Sequence, residues 1–110
     1  MNDKINAEVP IITEHPKGGI YSAGSSVVLT VTALTNDGGT LSYQWYYNTI
    51  NNSEAGTLIP GETDTKYRPS TAVAGELYYY VIVTNTIPDN GDGGNKTAPI
   101  ISNIAELALN

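Results

Sequence analysis

Apolar residues recur at every second position in the best-formed segments of this chain, while the three-to-four spacing of an amphipathic helix is scarce, so the fold has to be built from strands. In Val27–Ala33, Val27, Leu29, Val31 and Ala33 share one parity and Thr30 and Thr32 share the other. Leu41, Tyr43, Trp45 and Tyr47 repeat the pattern against Ser42, Gln44 and Tyr46, and Ala105, Leu107 and Leu109 repeat it near the end. Such a period puts one face on a core and the other in water. Asn36-Asp37-Gly38-Gly39 breaks the first run from the second as a turn.

The remaining strands are less evenly patterned. Ile11–Thr13 reads as a first edge strand, ended by His15-Pro16. Thr57–Pro60 and Thr65–Arg68 are short, and each is closed by a proline that cannot donate to a ladder, which marks edge or terminal strands. Glu76–Asn85 (ELYYYVIVTN) is the most strongly β-forming stretch, but its period alone does not orient it. A last strand runs from about Thr97 to Leu109, with Pro99 as its expected interruption. About seven strands joined by short loops, with no crossover helix, predict an all-β, antiparallel β-sandwich.

At 110 residues the chain has the size of one domain. Met1–Glu8 is polar and is expected to be a flexible tail or linker, leaving residues 9–110 as the sandwich. The opening MNDKINAE carries no export signal, so an exported parent would have to supply one from elsewhere. The absence of cysteine excludes a disulfide framework, a Cys-rich zinc site and a thiol nucleophile, and makes the domain indifferent to redox compartment. A net charge of −6 has the wrong sign for a nucleic-acid backbone or an anionic leaflet, and no apolar run approaches a membrane span.

Nothing in the chain is organised for catalysis. The single histidine, His15, sits beside Pro16 with no Gly-x-Ser-x-Gly turn, and the acids are scattered over loops and strand faces. No cofactor is expected. Asp89–Asn95 approaches a calcium loop, but Pro88 and Pro99 fall where its first and last ligands belong. Asp37, Asp89 and Asp92 are the candidate calcium ligands if two loops meet at one end of the sandwich; otherwise the glycines simply supply positive φ.

Gly24–Ala33 (GSSVVLTVTA), Trp45 and Gly75–Asn85 (GELYYYVIVTN) together resemble strands B, C and F of an immunoglobulin-like domain. Val31 and Val81 stand where that family bridges two cysteines over a tryptophan, and Tyr79 stands where it places the tyrosine of the E–F corner. With the disulfide replaced by packing, the chain from about Val9 onward is similar to the cysteine-free Ig-like repeats of bacterial surface and secreted proteins. The resemblance implies a core of Val31, Trp45, Tyr79 and Val81. It turns Leu77, Tyr79, Val81 and Val83 inward and Tyr78, Tyr80 and Ile82 outward. It also implies a multi-repeat exported parent of a Gram-positive-type bacterium, at the cell surface or outside the cell.

Such repeats serve as spacers or as adhesive modules, so the resemblance settles the scaffold rather than the task. The expected function is a non-catalytic, monomeric spacer whose partners are neighbouring domains of the same polypeptide. The alternative is a module that binds a glycan or a host protein through Tyr46, Tyr78 and Tyr80, expected to form an outer platform, or through the two loops. An intramolecular Lys17–Asn103 bond would need a buried lysine, and Lys17 lies beside Gly18-Gly19 in an expected loop.

Overall fold

Valine, threonine and tyrosine fit a pleated, half-buried surface, and they fill the segments that pair. The computed structural model describes residues 6–54, 56–88, 91 and 93–110. Among these the strands are β1 (Ile11–Glu14), β2 (Gly19–Tyr21), β3 (Leu29–Thr30), β4 (Thr32–Leu34), β5 (Thr40–Asn48), β6 (Thr57–Leu58), β7 (Lys66–Tyr67), β8 (Gly75–Thr86), β9 (Thr97–Ile101) and β10 (Ala105–Leu109). No helix occurs among the described residues. Several strands are halves of one run of chain: β3 and β4 are separated only by Val31, and β9 and β10 by residues 102–104.

Two layers result. The larger has the order β2-β10-β8-β5-β6, with β9 also on β8, and the smaller consists of the β1–β4 and β3–β7 pairs. The Val31 N–H donates to the Thr65 carbonyl at 2.9 Å and so continues the smaller layer across the break. β8 is the spine, running antiparallel to all nine residues of β5, to β9 and to β10. Among the described residues every strand pairing is antiparallel except one: β2 lies parallel to β10, Gly19 to Tyr21 opposite Leu107 to Leu109.

The expected core is present. Trp45 and Val81 are fully buried and Val31 and Tyr79 nearly so, together with Leu29, Val83, Ala105 and Leu107. Tyr67 bridges the layers, its ring 5.8 Å from Trp45 and 5.5 Å from Tyr79. The Trp45 indole N–H donates to the Asp64 carbonyl at 2.7 Å, which gives the one polar atom of that side chain a partner at the border of the core.

Three local expectations change. The last strand breaks at residues 102–104 rather than at Pro99. Because the Ser102 N–H bonds to Val81 and the Lys96 carbonyl accepts from Ile87, even-numbered residues of β9 face β8 and Pro99 faces the free edge. Its missing N–H therefore costs no ladder bond and denies that edge to other strands. Residues 17–19 are not all loop, since Gly19 begins β2. Residues 6–8, expected within the flexible tail, are bonded to the domain: Ala7 N–H to the Asn95 carbonyl, and Asn95 N–H to Asn6 Oδ1.

The two ends of the described chain meet opposite poles. Residues 6–8 lie with the 35–39 turn and Asn95, beyond the Thr40–Thr86 end of the β5–β8 ladder. Asn110 lies at the other end, where Leu109 opposes Gly75; its N–H donates to Tyr21 and its carbonyl accepts from Ala23. The molecule measures 61 × 22 × 20 Å.

Candidate functional site

The outward parity of Tyr46, Tyr78 and Tyr80 is as expected, but the three do not form an open platform. Tyr46 and Tyr80 oppose each other across β5 and β8, and their rings stack with centroids 5.2 Å apart and planes within 3°. Tyr80 is nevertheless 2% exposed. Asn48 is the cause at the level of sequence. Its Oδ1 accepts from Thr49 and its Nδ2 donates to the Asn52 carbonyl, while Asn52 Oδ1 accepts from Glu54 N–H, which curls the connection after β5 back toward the sheet. That brings Gly56 onto the Tyr80 ring, and the Gly56 N–H donates to the phenol oxygen. A Cβ at position 56 would overlap that ring and hydroxyl, so the close approach requires glycine. Tyr46 and Tyr78 remain half-buried, and the Tyr78 hydroxyl bonds to Glu76.

Asp37, expected as a calcium ligand, has a different employment. Its Oδ1 accepts from the Thr35 hydroxyl, Gly39 N–H and Asn85 Nδ2, and its Oδ2 from Glu8 N–H and Asn85 Nδ2, at 2.7–3.0 Å. The donors, led by the Glu8 N–H and followed by Thr35 and Asn85, hold its carboxyl far below the usual carboxylate range. A cation would have to displace them. Asp89 and Asp92 lie outside the described residues, and among those described no three His, Asp or Glu side chains converge to hold a metal ion. Asp37 instead joins three remote pieces of chain, because Asn85, fully buried on β8, also donates to the Glu8 carbonyl.

No protein-family model matches the chain, and no curated protein matches it.

His15 is half-buried, and its Nδ1 accepts the Asn103 N–H at 3.0 Å, which ties the end of β1 to the break between β9 and β10. Among the described residues no hydroxyl is bonded to it. Lys17 and Asn103 border one shallow hollow, but both are exposed, so the burial that their cross-linking would need is missing.

One concave feature was not legible beforehand. At the C-terminal pole a cavity of about 320 Å³ opens between the layers, lined mainly by Val73, Leu77, Tyr79, Leu107 and Leu109. Val73 stands beside it 78% exposed. Burial pushes the Tyr79 phenol up to about 12, with the neighbouring Tyr67 and Tyr47 adding to the shift. The cavity holds no paired carboxylates and no nucleophile–base pair, only Glu76, Ser70 and Tyr79 as polar side chains, so its chemistry is that of apolar contact.

Proposed function

We propose that the chain is a cysteine-free Ig-like repeat from an exported bacterial surface or secreted multidomain protein, where it acts as a non-catalytic spacer. The observation that carries this reading is the placement of the two ends of the described residues. The polypeptide is clamped at one pole by Asp37, Asn85 and Asn95 and at the opposite pole by Tyr21 and Ala23, so a domain inserted in series adds its length to the array. The layers β1–β4/β3–β7 and β2-β10-β8-β5-β6, with tryptophan and two valines at the centre, support the Ig-like part of the reading. The glycan- or protein-binding alternative loses two of its supports, because Tyr80 is covered and Asp37 is fully bonded.

Two copies joined in series and measured by small-angle X-ray scattering test the proposal. The expected maximum dimension is close to twice that of one copy. A pair folded back on itself, with a maximum dimension near that of a single copy, refutes it.

A further inference from the structure

The two outer faces of the sandwich carry opposite and complementary chemistry, although the chain as a whole is acidic. On the smaller layer, Lys66 opposes Thr30 across the β3–β7 pair, with Leu29 and Tyr67 pointing inward. Arg68 lies one outward step further on, next to Val28, and the two border one shallow hollow. Lys66 and Arg68 are exposed and Val28 is 43% exposed, so this face presents two cations about an apolar contact.

The larger layer presents the converse. Glu106 opposes Tyr78, and Ala108 lies between Glu76 on β8 and Ile20 on β2, so Glu76, Glu106 and Ile20 share the outer face. Ile20 is 74% exposed, and both glutamates are exposed. A trough of about 380 Å³ runs between them over Gly18, Gly19 and Ala108. Its floor is bare of necessity, since a Cβ on Gly18 would fall on the Glu106 carbonyl. An acid-walled trough with an apolar side suits the aliphatic stem and charged head of a lysine or arginine.

Each face also carries an apolar pair on the N-terminal side of its charges: exposed Ile11 opposite exposed Leu34 on one, half-buried Ile82 opposite exposed Ile101 on the other. Laying two copies side by side in the same polar sense brings cations to anions and apolar pair to apolar pair. Two exposed carboxylates border the basic face on the side of the apolar pair, Glu14 opposite Thr32 and Asp64 two residues before Lys66.

We propose that copies of this chain associate laterally, the Lys66–Arg68–Val28 face of one docking in the Glu76–Glu106–Ile20 trough of the next. The occupant is a second copy, because the complement to each face is on the same chain. The contact joins unlike faces and does not close, so it propagates as a row rather than stopping at a pair. It is small and charge-guided, of the transient class below about 1,200 Å², so the chain is a monomer when dilute. The inference does not depend on the spacer reading, which concerns the poles rather than the faces.

Sedimentation of the intact chain up to about 1 mM, at low salt and at about 0.5 M salt, tests it. At low salt the mean mass should rise continuously with concentration, and at high salt it should fall back to the monomer. Glu76→Lys with Glu106→Lys, and separately Lys66→Glu with Arg68→Glu, should each weaken association at least about tenfold while circular dichroism and melting confirm the fold. Mixing the two reversed chains should restore association, because each then supplies the face the other needs. A wild type that stays monomeric at about 1 mM, growth that stops at a dimer, association indifferent to either reversal, or a mixture that fails to restore it would each overturn the proposal.

Discussion

Replacing Trp45 by phenylalanine separates the two ways in which that side chain holds the core. Trp45 has no exposed surface, touches Tyr67, and donates its indole N–H to the Asp64 carbonyl. Phenylalanine keeps most of the ring but leaves a void of about 40 Å³, which at ~24 cal/mol per Å³ costs about 1 kcal/mol. Losing the bond to Asp64, an exposed residue whose carbonyl water can reach, adds about 0.5–1.5 kcal/mol. The sum, about 1.5–2.5 kcal/mol, corresponds to a melting temperature roughly 6–15 °C lower for a domain of this size. Trp45→Ala, which removes the whole side chain, should cost about 3–5 kcal/mol from the 5–15 typical of a domain and leave little folded protein at 37 °C. Calorimetry is the suitable assay, since the chain's one fluorescent indole is the group removed. A Trp45→Phe variant melting within about 2 °C of the wild type would show that neither the void nor the Asp64 bond matters.

Gly56→Ala should destabilise by about 1–3 kcal/mol through overlap with Tyr80, and Tyr80→Phe in that background should recover part of the loss; equal melting of Gly56→Ala and wild type would refute the packing. Asp37 contributes stability that is fully present above the ordinary carboxyl value of 3.8 and is lost as the pH falls from there through its lowered folded value. Asp37→Asn should therefore melt lower at pH 7 and lose less than the wild type on acidification; parallel pH profiles for the two chains would overturn the assignment. The raised phenol of Tyr79 works in the opposite sense, stabilising the fold below the ordinary value of 10.0 and ceasing to do so as the pH climbs through about 12. Tyr79→Phe should flatten the alkaline loss of stability over that range, and a melting profile as steep as the wild type's would count against it.

Val31 and Trp45 were legible because a period of two commits every second residue once one of them is buried, and that alternation is displayed in full by a single sequence. In Glu76–Asn85 both parities are apolar, so alternation could not orient Tyr79 and Val81, and only the resemblance to an Ig-like domain turned them inward. The burial of Tyr80 was not legible. Its parity is outward, and it is covered only because Asn48 and Asn52 turn the following chain so that Gly56 reaches it. β2 was missed for a related reason, since Gly18-Gly19 has little strand preference and its pairing partner lies almost ninety residues away. Asp37 was readable as a turn residue, but three of its five hydrogen bonds come from Glu8 and Asn85, and nothing near Asp-Gly encodes those. Pro99 was readable as a residue that cannot donate, whereas which way it faces depends on register with β8.

The parallel pairing of β2 with β10 has a mechanical consequence. The chain runs toward the C-terminal pole along both strands, so tension on the two ends drags β2 toward one pole and β10 toward the other. The hydrogen bonds joining Gly19–Tyr21 to Leu107–Leu109, with those from Asn110 to Tyr21 and from Ala23 to Asn110, lie across the pull. They are strained together rather than unzipped one after another, and yield is governed by the unfolding rate under force instead of by equilibrium stability. In force–extension recordings such a domain gives way abruptly. A gradual, low-force lengthening would mean that the two strands peel instead of sliding.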